Sequence, residues 1–331
     1  MKNKIFIVVM SLTVSILLFT QYRYYLITKK IVAVFKDNML TYDIDKKSVD
    51  FEECEEAELI VGFDELFNKV GYFVQCNKPI ILTMVGFPYK SSNTKDKVLA
   101  SSIDAAEYYS LCYLQKFLDE IKRNYHPGAR LYIFTDGIVF CDIEKVPDTV
   151  VIEYEDNLKK IAQDMRDIVV VTTRDICLHK TSQEIRTLIC DIYPSVEEFN
   201  VMVLSDKKLQ NDIDVLSERI TFELALLSPM PDELAQIGFQ ETHRSMQLTT
   251  FLKQFRPVEA IACSVHYQKN VGRKIGLKLS ESYVTSWHGV LIEDGDGQEP
   301  RIMHLKDVDM SAYQKAYVMV NGLELVYLKK L

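Results

Sequence analysis

Three features, spread over four short segments of this chain, combine residue types that could do chemistry. The first is Gly86-Phe87-Pro88-Tyr89-Lys90-Ser91-Ser92-Asn93, which follows the apolar run at 79–85, PIILTMV. A buried strand that ends in such a loop sets polar groups outside its carboxyl end, where open α/β sheets bind ligands. Lys90 with Ser91, Ser92 and Asn93 suits a phosphate or a carboxylate; a plain polar surface loop has the same composition. The second segment pair carries histidines. AIACSVH at 260–266 is an apolar strand ending in His266, and Ser286-Trp287-His288-Gly289 sets His288 beside the only tryptophan. Imidazole is the side chain best suited to proton transfer near neutral pH, although each of these could equally be a satisfied structural histidine. The third is Asp136-Gly137, between RLYIFT at 130–135 and IVFC at 138–141. Its spacing predicts a β-hairpin with an Asp-Gly turn.

Rival chemistries leave little trace. No histidine has an acid two residues on and HExxH is absent, so a catalytic metal is not expected. There is no GxxxxGK, GxGxxG or GxSxG. The Asp-x-Asp pairs Asp43/Asp45, Asp212/Asp214, Asp294/Asp296 and Asp307/Asp309 could hold Mn²⁺ and a nucleotide sugar, as in an anchored glycosyltransferase. Such pairs also arise by chance in an acidic chain, and Asp294-Gly295-Asp296-Gly297 has the composition of a hairpin turn.

The elements that must position these residues follow from periodicity. A strand is possible at 31–35, and an acidic helix is expected at about 50–69. Ser101-Ser102-Ile103-Asp104 opens a helix over about 103–124, with Ala106, Tyr109, Tyr113, Leu114, Phe117 and Ile121 at three- and four-residue spacing, stopped by His126-Pro127-Gly128. A helix at about 153–166 and a strand at 167–172 come next. Residues 181–256 are mostly helical, with breaks near Pro194 and at 228–231. Short strands follow at 260–266, 274–279, 289–292, 301–305, 316–320 and 324–328. The expected fold is α/β: a mixed sheet with a Rossmann-like core, a helical middle region and a strand-rich carboxyl-terminal third.

The whole chain bounds its partners. Its 331 residues carry a net charge of −8, which argues against a nucleic-acid partner. Seven cysteines, an odd number without a CxxC pair, predict neither a disulfide framework nor a zinc ribbon and suit a reducing compartment. At the amino terminus, Lys2 and Lys4 precede the mostly apolar residues 5–19, and tyrosines 22, 24 and 25 follow. That run is short for a full span, and no small-x-small cleavage site follows it. Residues 1–30 are therefore expected to be a hydrophobic anchor or signal-like segment, and 31–331 the catalytic domain. Positive charges on both sides leave the topology open.

Taken in order, the segments resemble the isonitrile (isocyanide) synthase family, which includes the fungal enzymes of dityrosine spore-wall synthesis. The resemblance rests on PYKSSN at 88–93, the KDKVL and acid-bearing helix after it, HPGARLYIFTDGIVFCD at 126–142, AIACSVH at 260–266 and SWHGVL at 286–291, and covers about residues 75–295. Two departures stand out. Ala262-Cys263 occupies the stretch where the family carries an arginine, and Tyr267 the place of a proline; Ser286 stands where Thr-Pro precedes Trp-His. A missing guanidinium removes a bidentate anion clamp. Arg244, Arg273 and Lys274 are the cations that could compensate.

The resemblance implies an enzyme without a cofactor that condenses the α-amine of tyrosine or tryptophan with the ketone of ribulose 5-phosphate. Cleavage of the sugar then leaves one carbon on nitrogen as the isonitrile. In that scheme Lys90 binds phosphate or carboxylate or moves a proton, and Ser91, Ser92 and Asn93 donate hydrogen bonds. His266 and His288 are the acid/base pair, Asp136 orients a histidine or acts as base, and Trp287 stacks on the substrate or packs. The protein would face the cytosol, tethered by residues 5–19. Tyrosine N-formylation for a wall polymer, and a diverged amino-acid-binding protein without turnover, are the alternatives.

Overall fold

The computed structural model describes residues 2–38, 56–223, 231–264, 275–280, 284–295 and 297–331. In chain order its elements are α1 (Lys2–Asp37), α2 (Glu56–Cys76), β1 (Ile80–Val85), α3 (Ala105–Asn124), β2 (Ala129–Thr135), α4 (Gly137–Phe140), α5 (Asp148–Ala162), β3 (Ile168–Thr172), α6 (Thr173–Ile176), α7 (Ser182–Cys190), α8 (Val196–Ser205), α9 (Lys207–Glu223), α10 (Pro231–Leu252), β4 (Ile261–Ser264), β5 (Ile275–Gly276), β6 (Val290–Glu293), β7 (Arg301–Met303), β8 (Tyr313–Val320) and β9 (Leu323–Lys330). The strands form a five-stranded sheet, β3-β2-β1-β4-β5, and a four-stranded sheet, β7-β6-β9-β8. The α/β class, the Rossmann-like strand order, the helical middle and the strand-rich end all match the expectation.

One compact unit comprises Met1–Leu82, Lys116–Leu131 and Val258–Leu277. In it the last turns of α1 pack on α2 and α3. Thr28, Ile31, Val32, Val34 and Phe35 are buried, and the Phe35 ring meets Phe117 edge-on with centroids 5.2 Å apart. The strand expected at 31–35 is thus helix: buried and exposed positions follow a helical stripe with Ala33 and Lys36 outside. A short apolar run does not separate the two periods, and packing on α3 decides. α1 runs unbroken across residue 30. Ile16, Leu18, Phe19 and Tyr22 are exposed on it. Among the described residues no helix is long and apolar enough to cross a membrane. β4 pairs with β5 in parallel, Cys263 opposite Ile275, and burial pushes the Cys263 thiol up to about 12, leaving it a small apolar core residue.

The second unit comprises Thr83–Gln115, Tyr132–Pro257 and Lys278–Leu331. β1 and β2 each pass from one unit into the other. The bonds Ile80 N to Gly128 O and Gly86 N to Phe134 O keep one offset, so the two strands are parallel and end together. The hairpin expected around Asp136-Gly137 does not form. Gly137 instead opens α4, and 138–141 turns back as helix. A Cβ on Gly137 would lie 2.0 Å from Pro88 O and 2.6 Å from Val151 Cγ1, so the glycine serves close backbone approach rather than a turn. α6, α7 and α8 each begin with a capping box, at Thr172/Asp175, Thr181/Glu184 and Ser195/Glu198.

In the smaller sheet β6 pairs antiparallel with β7 and parallel with β9, around Val290, Ile292 and Leu328. Asn321-Gly322, both at positive φ, closes the β8–β9 hairpin as Asn-Gly turns do. The turn expected at 294–297 falls partly on Asp296, outside the described residues; Asp294 accepts from Arg301 Nε at 2.9 Å and from the Tyr313 hydroxyl.

Candidate functional site

The loop after β1 begins under strain. Phe87, fully buried, sits at φ 57° ahead of Pro88, in the left-handed region that bulky residues avoid. Its ring packs on Trp287 with centroids 4.9 Å apart, which fixes the start of the loop and carries Lys90 inward.

Lys90 is the centre of the site. The Lys90, Asp104 and Glu107 side chains are no more than 1% exposed. Lys90 Nζ lies 3.1 Å from both Glu107 carboxyl oxygens, 2.9 Å from Asp104 Oδ2 and 2.7 Å from Ser286 O. Asp104 Oδ2 is within ion-pair distance but off the line of a hydrogen bond, and has no other partner among the described residues. The carboxylates come from the start of α3, where Asp104 Oδ1 accepts from Ala106 N at 2.8 Å and Glu107 Oε2 from Asp104 N at 3.0 Å. A helix N-terminus thereby places two acids on one ammonium. From α5, the buried Tyr154 hydroxyl reaches Glu107 Oε1 at 3.4 Å.

The electrostatics follow from burial. Desolvation pushes the Glu107 carboxyl up to about 8; Lys90 opposes the shift and Asp104 adds to it. Tyr154 is raised well above the ordinary phenol value, first by burial, then by Glu107, Asp104 and Asp136. That last influence places half-buried Asp136, at the carboxyl end of β2, beside the cluster.

A tight turn carries the second motif. Ser286–His288 forms one turn of 3₁₀ helix, with His288 N donating to Thr285 O at 2.9 Å. It is tied to the β1 loop by Lys90 Nζ to Ser286 O and by Ser91 N to Trp287 O at 2.9 Å. Gly289 must be glycine, because a Cβ would lie 2.7 Å from Ile302 Cγ2 and 2.8 Å from Met303 O. Trp287 is buried against Phe87, and His288 is half-buried beside it. The Thr285 and Ser286 hydroxyls are buried without a hydrogen-bond partner among the described residues.

The structure thus brings together Lys90, Asp136, Trp287 and His288. Ser91 and Asn93 are buried and shape the loop: Ser91 Oγ accepts from Asn93 N at 3.2 Å, and Asn93 Oδ1 from Asp96 N at 3.0 Å. Ser92 faces solvent. Arg244, on α10, donates to Val139 O and to Asp142 rather than to the Lys90 cluster. His266, Arg273 and Lys274 lie outside the described residues. Asp104, Glu107 and Tyr154 were not anticipated. The first two carry a visible signal, Asp104-x-x-Glu107 at a helix start, a spacing that locally means no more than a helix cap. Tyr154 has no signal beyond its helical stripe. Among the described residues no cluster of metal-ligating side chains occurs.

Comparison with known proteins shows what the chain is similar to. A family profile described as pyoverdine/dityrosine biosynthesis protein matches residues 70–218. The L-tryptophan isonitrile synthase AmbI2 of Fischerella ambigua is 28% identical over 263 residues, 74% of this chain and 78% of that protein. The L-tyrosine isonitrile synthase of Pseudomonas aeruginosa is 25% identical over 293 residues, 82% of this chain and 86% of that one. The spore wall maturation protein DIT1 of Saccharomyces cerevisiae is 34% identical over 100 residues, 30% of this chain and 18% of that one. The crystal structure of the PvcA protein from Pseudomonas aeruginosa shares the fold, with a TM-score of 0.78 at 20% identity over 92% of this chain and 100% of that one. Over most of its length the chain is thus similar to isonitrile synthases, and its residues 70–218 match the pyoverdine/dityrosine biosynthesis profile.

Proposed function

We propose that this protein is an isonitrile synthase that converts the α-amine of an aromatic amino acid, tyrosine or tryptophan, with ribulose 5-phosphate as carbon donor. One observation supports it above the rest. The β1 loop and the Ser-Trp-His turn, nearly two hundred residues apart in sequence, are bonded together where β1 and β2 end, with Asp136 at the same end. The carboxyl end of parallel strands is where α/β folds do chemistry. Relatives that match 74% and 82% of this chain are named for isonitrile synthesis from tryptophan and tyrosine.

Imine formation between the amine and the sugar ketone needs proton removal from nitrogen and proton delivery to the leaving hydroxyl. His288, half-buried at the end of its turn, is the group we assign to proton transfer, with His266 as its partner. Asp136 is the carboxylate available to orient an imidazole or hold the substrate ammonium. The aromatic wall formed by Phe87 and Trp287 shapes the turn from within.

Two features bear on anion recognition. Ala262 and Cys263 are buried in β4 and supply no cation, and Arg244 is engaged by Asp142. These features favour one alternative, a family member that binds an amino acid without turning it over. Mass spectrometry of the full-length chain with ribulose 5-phosphate and each of the twenty amino acids separates the two. The expected result is an isonitrile from one aromatic amino acid, abolished in His266→Ala and His288→Ala. Ligand binding by a folded protein without product would establish the alternative.

We also assign residues 5–19 to membrane association, with the catalytic part on the cytosolic side. The support is the apolar run, the exposed Ile16, Leu18 and Phe19 that continue it, and the tyrosines after it. Co-flotation with liposomes, lost on removal of residues 2–19, is expected; flotation that survives the deletion would refute it.

A further inference from the structure

We infer that Lys90, Asp104 and Glu107 form a proton-dependent clamp that positions His288. One proton shared between the two carboxyls keeps the ammonium in place, and the ammonium keeps the Ser286–His288 turn on the β1 loop. Its bearing on catalysis rests on the assignment of His288 above.

The geometry carries the inference. An ammonium has three N–H donors. Those of Lys90 face the two Glu107 carboxyl oxygens and Ser286 O, with the Asp104 carboxylate 2.9 Å away as a further ion-pair partner, all within the protein. None is left for a substrate anion, so Lys90 acts as a positioning residue rather than an anion ligand. The bond to Ser286 O and the Ser91 N–Trp287 O bond lie on consecutive residues of one loop and grip consecutive carbonyls of one turn. Where the ammonium goes, the turn and its histidine follow.

The proton enters through charge balance. Three side chains no more than 1% exposed would carry a net charge of −1 if both acids were ionised, and an uncompensated buried charge costs several kcal/mol. A proton on Glu107 removes that charge. It also supplies the donor that Asp104 Oδ2 lacks. Burial and the Asp104 charge both hold that proton to about pH 8. The groups facing Glu107 are Lys90 from the β1 loop, Asp104 from its own helix start and Tyr154 from α5, with Asp136 beyond Tyr154. Loss of the proton leaves a net negative dry site, which relaxes by admitting water and loosening the Lys90–Ser286 grip.

The single tryptophan makes the turn observable without turnover, because Trp287 lies in it. Its emission would be titrated between about pH 6 and pH 10 in the full-length protein, with an acrylamide quenching series at each end. The wild type is expected to show a red shift and greater quenching centred near the Glu107 value of about 8. Glu107→Gln, which donates to Asp104 at every pH, should lose that transition. Asp104→Asn, which removes the like charge that raises Glu107, should move it to lower pH, and it stands in if the Gln variant does not fold. A flat wild-type titration, or a transition unchanged in both variants, would overturn the inference. Product formation is measured on the same samples. An active wild type whose rate falls along the emission curve ties the clamp to His288, and a rate indifferent to that transition refutes the tie. Absence of any isonitrile would defeat the proposed function, while the emission still decides the clamp.

Discussion

Lys90–Asp104 and Arg186–Asp148 are ion pairs of the same length, 2.9 Å, in the same unit of the molecule. The first pair is sealed, its side chains 0% and 1% exposed; the second is open, at 9% and 37%. Length therefore says nothing about what either pair does. In the sealed pair desolvation dominates, the charges must cancel locally, and a neighbouring carboxyl takes up a proton to achieve it. In the open pair water shares the work, and the carboxylate of Asp148 is simply lowered by its hydrogen bond from Arg186. Around the Lys90 loop every member of the charge cluster is sealed, whereas the Arg186–Asp148 pair joins a buried guanidinium to a carboxylate that reaches solvent.

The largest expected effect comes from breaking the sealed pair on one side. Lys90→Met leaves two acids facing one another and Ser286 O without its donor, and should cost about 3 to 5 kcal/mol in urea unfolding, with activity lost. The corresponding cut at the open pair should cost far less, and equal losses would erase the contrast. Next comes Gly137→Ala. Its Cβ would meet Pro88 O at 2.0 Å, backbone against backbone, so nothing flexible can yield. A loss of about 3 kcal/mol is expected, and a stability near wild type would show that the β1 loop is less tightly seated than its contacts imply.

The two regions should also respond to pH with opposite sign. Glu107 holds its proton to about 8 in the folded chain, against 4.5 as the ordinary value. Between those values the native state binds the extra proton, so its contribution falls as pH rises through the window. Asp148 is lowered, so its contribution is present above the ordinary aspartate value and fades as pH falls through the folded one. Urea midpoints across pH should therefore slope downward toward about 8 in wild type and lose that component in Glu107→Gln. An unchanged slope in the variant would assign it to other groups.

The same contrast explains what was legible in the sequence. α3 follows from its helical apolar stripe, and β1, β3 and the carboxyl-terminal strands from short apolar runs, β1 being buried on nearly every residue. PYKSSN and Ser-Trp-His each stand out in the sequence as separate motifs; that they are bonded to one another is seen only in the structure. The sealed cluster was not identifiable as such. Asp104 and Glu107 satisfy a helix cap, a local explanation that leaves no residue of surprise, and only tertiary packing adds Lys90 to them. Gly137 misleads for a related reason. Asp-Gly is a strong turn signal, yet here the missing Cβ makes room for another segment's carbonyl, which no local pattern records. Residues 31–35 show the converse, a β-branched run drawn into helix by the core it faces.

The smallest expected effect is at the open pair itself. Asp148→Asn keeps an acceptor for Arg186 Nη1, where the bond measures 2.9 Å, but removes the charge and the second oxygen that accepts from Nη2. Arg186 also donates to Ile138 O at 3.2 Å and to Gln183 at 3.3 Å, so the guanidinium keeps its place when the carboxylate goes. With the Asp148 side chain 37% exposed, solvent and salt already screen most of the attraction, and a loss of at most about 1 kcal/mol is expected. That loss should shrink further as salt is raised, because exposed charges are screened within about a nanometre at ordinary ionic strength. The Lys90 cluster, shielded from ions, should show no such salt dependence. Unfolding of Asp148→Asn and Lys90→Met at low and high salt would test the distinction directly: a salt-sensitive Lys90 loss would mean that water and ions reach the site, and that the cluster is open like its counterpart.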